Sequence, residues 1–227
     1  NFNFIVNFKS CFNFIGLSYK NRFTKKEHVT CNKKSAMKDK QFFNDIKNSI
    51  VIIGGRFPVY LSGLYFDNKE GFAELDGRNG SIKLDYSLNK SALENSFENF
   101  VYELIKNKNK IIIIYPIPEV GFSPASEIKK KINKKNIFMK KDNYLTTSYD
   151  VYKERTEISF KLFDSLIDKN IYRVYPHKVF CNTIIKKRCI THDNKNIFYN
   201  DNDHPSSKGA EMINNLIMKE IEKIELK

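Results

Sequence analysis

The 227-residue chain has no tryptophan, four cysteines, six prolines and nine glycines. So few cysteines exclude a disulfide-dense miniature scaffold. Low proline and glycine content, with no repeating period, excludes collagen-like and low-complexity arrays. No run approaches the ~18 apolar residues of a membrane span; the longest, Ile111 to Ile114 with Tyr115, has the length of a strand core. Hydrophobic residues still make up 41% of the chain and aromatics 14%, which is too much for a disordered tail. The length suits a single α/β domain (residues 1–227) able to bury a core without metal or disulfide support.

Acidic residues are also scarce, with Asp+Glu 26 against Lys+Arg 39 and a net charge of +13. Lysine far outnumbers arginine, and Lys, Asn and Ile dominate. This is the bias of AT-rich coding sequence, which raises basicity without any binding purpose. The runs Lys129-Lys130-Lys131, Lys134-Lys135, Lys140-Lys141 and Lys186-Lys187-Arg188 have no interleaved aromatics and accompany no nucleic-acid motif. They read as a solvated basic face, with attraction to an anionic membrane surface or polysaccharide second in rank and no nucleic-acid partner expected.

The hydrophobic pattern alternates between two periods. Phe2, Phe4, Ile5, Val6 and Phe8 alternate as a strand entered midway, which reads as a fragment whose upstream part is missing. Residues 20–40 are polar and read as a surface loop containing an exposed His28. Phe42, Phe43, Ile46 and Ile50 have helical spacing. The run Ile50 to Ile53, closed by Gly54-Gly55, suits a strand buried on both faces of a parallel sheet. Residues 71–86 read as a hairpin turning over Asp76 to Gly80. Leu93, Phe97, Phe100, Val101, Leu104 and Ile105 make a helix face. Ile111 to Tyr115 is the next buried strand, stopped by Pro116 and Pro118. Residues 123–143 are a lysine-rich connection without a clear period. A second long helix carries Tyr152, Arg155, Ile158, Phe160, Leu162, Phe163, Leu166 and Ile167. Ile171 to Tyr175 is a strand, Cys181 to Phe198 an irregular loop or hairpin, and a last helix carries Met212, Ile213, Leu216, Ile217, Ile221 and Ile224. Strands alternating with helices predict an α/β three-layer sandwich: a mainly parallel sheet flanked by helices, its first strand missing.

Ligands of such sheets bind beyond the carboxyl ends of the strands, and three segments fall there: Gly54 to Tyr60, Tyr115 to Gly121, and Tyr199 to Ser206. In the third, Asp201 and His204 are three apart, so both side chains can project from one turn. A carboxylate accepting from one imidazole nitrogen fixes the tautomer and leaves the other nitrogen as a general base. Ser206 then caps the last helix. Taken alone, the pair also fits a capped helix after an acidic loop.

Four segments together extend the reading. Tyr199-Asn-Asp-Asn-Asp-His-Pro-Ser-Ser-Lys-Gly-Ala resembles the closing motif of SGNH-type acyl hydrolases. The likeness is strongest to the extracytoplasmic domains attached to acyltransferase-three membrane proteins, which O-acylate surface polysaccharides. Ile52-Ile53-Gly54-Gly55-Arg56-Phe57-Pro58-Val59-Tyr60 is similar to that group's strand ending in Arg-aromatic-x-x-Tyr. Tyr115 to Phe122 matches its Tyr-Pro-x-Pro-Glu-x-Gly-aromatic turn. Phe180-Cys181-Asn182 with Cys189 matches its cysteine-bounded loop. The chain departs from the pattern with Phe for Trp after Arg56 and Gly121, and with Pro205 for Leu. It also contains no Gly-Asp-Ser.

The resemblance implies acyl-ester transfer by a Ser-His-Asp mechanism, with His204 as general base, Asp201 orienting it, and the serine upstream of Asn1. The alternatives are a domain that lost its serine and serves as a non-catalytic glycan-binding module, and a free-standing carbohydrate esterase. Gly55 or Arg56 would support the oxyanion, Arg56 having a competing structural role as partner of Glu119, itself read as structural. No cofactor is implied. The implied partners are the membrane acyltransferase domain of the same protein and a polysaccharide acceptor, and the implied location is the periplasmic or extracellular face. The four cysteines allow three connectivities; the resemblance favours Cys11–Cys31 and Cys181–Cys189. The rival is a zinc site of His177, Cys181, Cys189 and His192, whose Cys-x7-Cys spacing is unlike structural zinc knuckles.

Overall fold

A computed structural model describes residues 15–74, 86–87, 89–133 and 144–225. In chain order the elements are β1 (Lys20–Asn21), α1 (Lys33–Asn44), β2 (Ile50–Ile53), α2 (Phe57–Ser62), β3 (Tyr86–Ser87), α3 (Lys90–Lys106), β4 (Lys110–Ile114), α4 (Pro124–Asn133), β5 (Thr146–Ser148), α5 (Tyr149–Ser165), β6 (Ile171–Val174), α6 (His177–Phe180), β7 (Arg188–Ile190) and α7 (Ser207–Glu225). They divide into two compact units, Asn1–Ser49 with Asp85–Asn109, and Ile50–Leu84 with Lys110–Lys227. The expected Phe2–Phe8 strand, Cys11 and most of the 71–86 hairpin lie outside the described residues.

In the first unit, α1 and α3 are each opened by an asparagine whose side chain accepts the N–H three residues on, Asn32 from Ser35 and Asn89 from Ala92. The expected helix face holds in α3, where Leu93, Phe97, Val101 and Leu104 are buried. The surface loop expected over residues 20–40 is corrected. Lys20–Asn21 pairs antiparallel with Tyr86–Ser87, and α1 begins at Lys33. Most of that helix was hidden because, of its own residues, only Ala36 and Asp39 are buried, so its sequence carries little amphipathic signal. His28 is half-buried rather than exposed. Its Nδ1 accepts the N–H groups of Thr30 and Cys31, and its ring meets Tyr19 edge-on. Asn109 is buried and ties the loop after α1 to the end of α3, accepting from Ser49 N and donating to the carbonyls of Ile46 and Leu104.

The second unit is built on a parallel sheet in the order β2-β4-β6. The central strand is buried on both faces, with Ile111, Ile112 and Ile113 fully covered. Ile112, with Tyr172 and Val174 of β6, packs against Ile221 of α7. On the opposite face Tyr115, just past β4, meets Phe160 and Phe163 of α5, and Phe163 meets Phe57 of α2. Helix, sheet and helix thus form the predicted layers. β2 departs from expectation: it ends the described sheet, and Ile52 is 41% exposed. The lysine-rich connection supplies α4. The Cys181 to Phe198 stretch supplies β7, paired antiparallel with β5. Among the described residues no helix is long and apolar enough to cross a membrane.

Candidate active site

Two turns at the sheet's carboxyl rim are stitched together. After β4, Pro116 and Pro118 lack N–H donors and end the ladder. The chain then bends through Gly121 at φ 82°, where an added Cβ would come within 3.3 Å of the Phe72 carbonyl. The bend aims the N–H groups of Val120 and Gly121 at the carbonyl of Asn202, at 2.8 and 3.0 Å. Asn202 is thereby held in the loop that carries Asp201 and His204. The loop's base closes through the Tyr199–Pro205 bridge and the Asn200 N–H on the His204 carbonyl. Ser206 caps α7 as expected, accepting from Gly209 N and donating to the Ile197 carbonyl.

Within the loop Asp201 acts twice. Its Oδ1 accepts the backbone N–H groups of Asp203 and His204, at 3.0 and 2.8 Å. Its carboxylate also meets His204 Nδ1, at 2.9 Å from Oδ2 and 3.1 Å from Oδ1. Burial tends to raise the Asp201 pKa, but the two N–H donors and the imidazole more than offset it, and the group is held below 3.8. Asp203 Oδ1 stands 3.1 Å from the same Nδ1. With two carboxylates on one side of the ring, the proton belongs on Nδ1 and Nε2 is the acceptor. The imidazole is 72% exposed, so Nε2 is open to an incoming hydroxyl.

Behind this pair lies a largely buried ion network centred on Arg56, which includes the expected Arg56–Glu119 pair. Arg56, at the N-cap of α2, makes a fork with Glu74 through Nη1 and Nη2, at 2.9 and 2.6 Å. It donates through Nε to Glu119 at 2.7 Å, and Nη1 reaches Asp203 Oδ2 at 3.1 Å. Glu119 is buried and accepts on its other oxygen from Arg155 Nε at 2.9 Å. Arg155 also bonds Ser62 Oγ and the Leu64 carbonyl. Burial lowers the Arg56 pKa, but the hydrogen bond to Glu74 and the charges of Glu119 and Asp203 outweigh it, so the guanidinium is charged throughout. Asp203 is raised above 3.8, chiefly by burial and further by Asp201 and Glu74, with Arg56 and His204 offsetting this only in part.

Of the sequence-predicted residues, Asp201, His204 and Arg56 are therefore brought together, Arg56 by way of Asp203. Every nitrogen of the Arg56 guanidinium faces a carboxylate, as its structural role requires. Gly55 is exposed beside Arg56 and hydrogen-bonds neither Asp201 nor His204 among the described residues. Glu74, Asp203 and Arg155 were missed. Their one sequence signal is arginine itself: in a lysine-dominated chain, an arginine marks a place where the planar fork is needed.

The zinc reading is overturned. Cys181 and Cys189 are joined in a disulfide, and both His192 nitrogens are engaged, Nε2 accepting from Leu145 N and Nδ1 facing the Asp193 carbonyl. Cys31 is likewise disulfide-bonded. Asp201, Asp203 and His204 bring donor atoms within 4.8 Å of one another, but Arg56 already neutralises Asp203, which suits a hydrogen-bonded base better than a cation site. An open cleft of about 580 Å³ between Tyr149–Lys153 and Asn182–Lys187 includes neither Asp201 nor His204.

With this geometry in place, the comparison with known families decides the matter: residues 3–219 match the SGNH domain of the kind fused to AT3 domains. The chain belongs to that family. No curated protein matches the chain. The SGNH domain is also similar to a solved structure, the periplasmic domain of the lipopolysaccharide acetyltransferase of Salmonella ser. Paratyphi A. Identity is 13% and the TM-score 0.49, over 88% of this chain and 65% of that one. The SGNH domain thus spans less than two thirds of that structure's chain.

Proposed function

We propose that residues 1–227 act as one SGNH module of a surface-polysaccharide O-acyltransferase, transferring an acyl ester by a Ser-His-Asp mechanism. The observation that carries this reading is the Asp201–His204 contact of 2.9 Å through Nδ1 on an imidazole that is largely exposed. Family membership supports the reaction class. His204 Nε2 takes the proton of the attacking hydroxyl, and Asp201 holds the tautomer and stabilises the imidazolium that forms. Asp203 reinforces the same nitrogen and passes its position to Arg56. Oxyanion charge is met by backbone N–H groups, including those of Gly55 and Arg56.

No Gly-Asp-Ser occurs in the 227 residues, so the hydroxyl comes from outside them and the isolated chain has no ester turnover. The family's fusion to AT3 domains supports a membrane acyltransferase domain as partner and an extracytoplasmic location, with the module tethered there by that domain. The same missing motif favours, as second reading, a non-catalytic module that guides glycan to the partner.

One experiment separates the two. The gene is expressed with its upstream codons in a host that lacks polysaccharide O-acylation, and ester on the glycan is measured by NMR. His204→Ala and Asp201→Ala should each cut ester formation about a thousandfold or more, without loss of expression. Full acylation by both variants would select the binding module.

A further inference from the structure

The second site of interest lies in the other compact unit. The chain from Tyr19 to Cys31 is a tight hairpin with a rigid base. Tyr19 N donates to the Cys31 carbonyl, His28 N to the Tyr19 carbonyl and Asn21 N to the Lys26 carbonyl. Tyr19 and Cys31 are both buried. The tip is shaped by local chemistry. Asn21 Oδ1 accepts from Phe23 N and Thr24 N, and Lys25 turns the chain at φ 60°, its ammonium on the Arg22 carbonyl.

This scaffold holds Phe23 outward, 80% exposed, and Val29 at the base is 85% exposed. A lone exposed apolar residue needs no explanation, but Phe23 has particular neighbours. Lys20, Arg22, Lys25 and Lys26 flank it along the hairpin sequence, Arg22 part-buried and the three lysines exposed, and Lys33 and Lys34 follow at the start of α1. Glu27 is the only acidic residue from Ile15 to Lys34, and it is engaged by Ser18 Oγ. Composition bias explains abundant lysine but not the near absence of acid around an aromatic that the fold props into solvent.

We propose that this hairpin is a membrane-contact element: its cations bind an anionic phospholipid surface and Phe23 enters the interface between headgroups and acyl chains. The two features need each other. Cations alone would bind any polyanion, whereas an acidic polysaccharide offers no apolar phase for Phe23. A bilayer interface meets both, because basic residues are attracted to its surface charge and an aromatic ring is favoured at its apolar boundary. The inference is independent of the His204 chemistry.

The absence of tryptophan makes the test direct. Phe23→Trp, at an exposed position, gives the chain a sole tryptophan, excited at the red edge of its absorption where the tyrosines do not absorb. With vesicles of mixed phosphatidylglycerol and phosphatidylcholine, its emission should shift to the blue and be quenched by brominated acyl chains. With phosphatidylcholine alone, neither should occur. Lys20→Gln with Lys26→Gln, which spares the Lys25 turn, should lower partition to the anionic vesicles roughly thirtyfold, about fivefold per charge. Circular dichroism checks that each variant is folded. An emission that stays solvent-like at saturating anionic vesicles overturns the proposal. So does partition unchanged by the two lysine substitutions, or binding to an acidic polysaccharide without any vesicle binding.

Discussion

The Arg56 guanidinium and the Asp203 carboxylate meet at 3.1 Å, and that contact couples the end of a sheet strand to the loop holding the imidazole. Asp203 faces Arg56 with one oxygen and His204 Nδ1 with the other. Arg56 is in turn clamped by Glu74 and Glu119. The His204 imidazole is therefore held between two carboxylates, one local and one anchored through a largely buried ion network.

Arg56→Lys keeps the charge but cannot form the Glu74 fork while also reaching Glu119 and Asp203. Carboxylates of a largely buried cluster are left without donors. Such a loss costs on the order of 3 kcal/mol, to be read as a lower midpoint in urea unfolding at neutral pH. A midpoint equal to that of the native chain would show the network to be passive.

Asp201 makes stability depend on acid. Its folded-state pKa lies below the ordinary 3.8, so its contribution is present above 3.8 and is lost as pH falls through the folded value. Asp201→Asn should be the less stable protein at neutral pH. The difference should be roughly 1 kcal/mol or less, since a half-exposed pair is well screened, and it should close in strong acid. Urea unfolding of both proteins from neutral pH down to about pH 1 checks this. A gap independent of pH contradicts it.

His177 has the opposite character. It sits among Tyr149, Tyr152, Phe160 and Tyr175, and burial, with a smaller effect from the Lys178 charge, pulls it down from 6.5 to about 4. Between those values the unfolded chain binds a proton that the native chain refuses, so stability falls as pH drops from 6.5 toward 4. His177→Phe, which suits the aromatic surroundings, should remove that part of the slope. In the native protein the ring's proton resonances should titrate near 4.

Gly209 lies in the first turn of α7, where an added Cβ would stand 2.1 Å from the Phe198 carbonyl oxygen and 3.3 Å from Pro205 Cβ. Backbone cannot yield as a flexible side chain does, so Gly209→Ala must displace the helix start or the 198–205 segment. A cost of about 1–3 kcal/mol is expected, with altered amide shifts at Asp201 and His204. Unchanged shifts there would mean that helix and loop are not rigidly coupled.

Some of this architecture was legible because its signal is local. The run Ile111 to Ile114 marks a strand covered on both sides, and the periodic faces of α3, α5 and α7 mark helices packed on one side. α1 was legible only at its Phe42-Phe43 end, the rest being polar with few buried positions, and the helical spacing read on to Ile46 and Ile50 runs past its end at Asn44 into the next strand. β5 and β7 were not legible, because their three-residue spans leave no room for a period. The hidden half of the site follows the same division. Asp201 and His204 share one turn, whereas Glu74 and Glu119 reach Arg56 from separate segments, and Arg155 reaches Glu119 from a third.

The amino-acid order alone determined the alternation of strands and helices, the capped start of α7 and the placing of Asp201 and His204 on one turn. Each depends on spacings of a few residues, over which backbone geometry leaves little choice. Tertiary structure alone decided that Glu74 and Asp203 join Glu119 around Arg56, that Arg155 closes on Glu119, and that Asp203 links the ion network to the imidazole. Those outcomes depend on which distant segments share a buried volume, because a charge removed from water must find its partner wherever the fold has placed one.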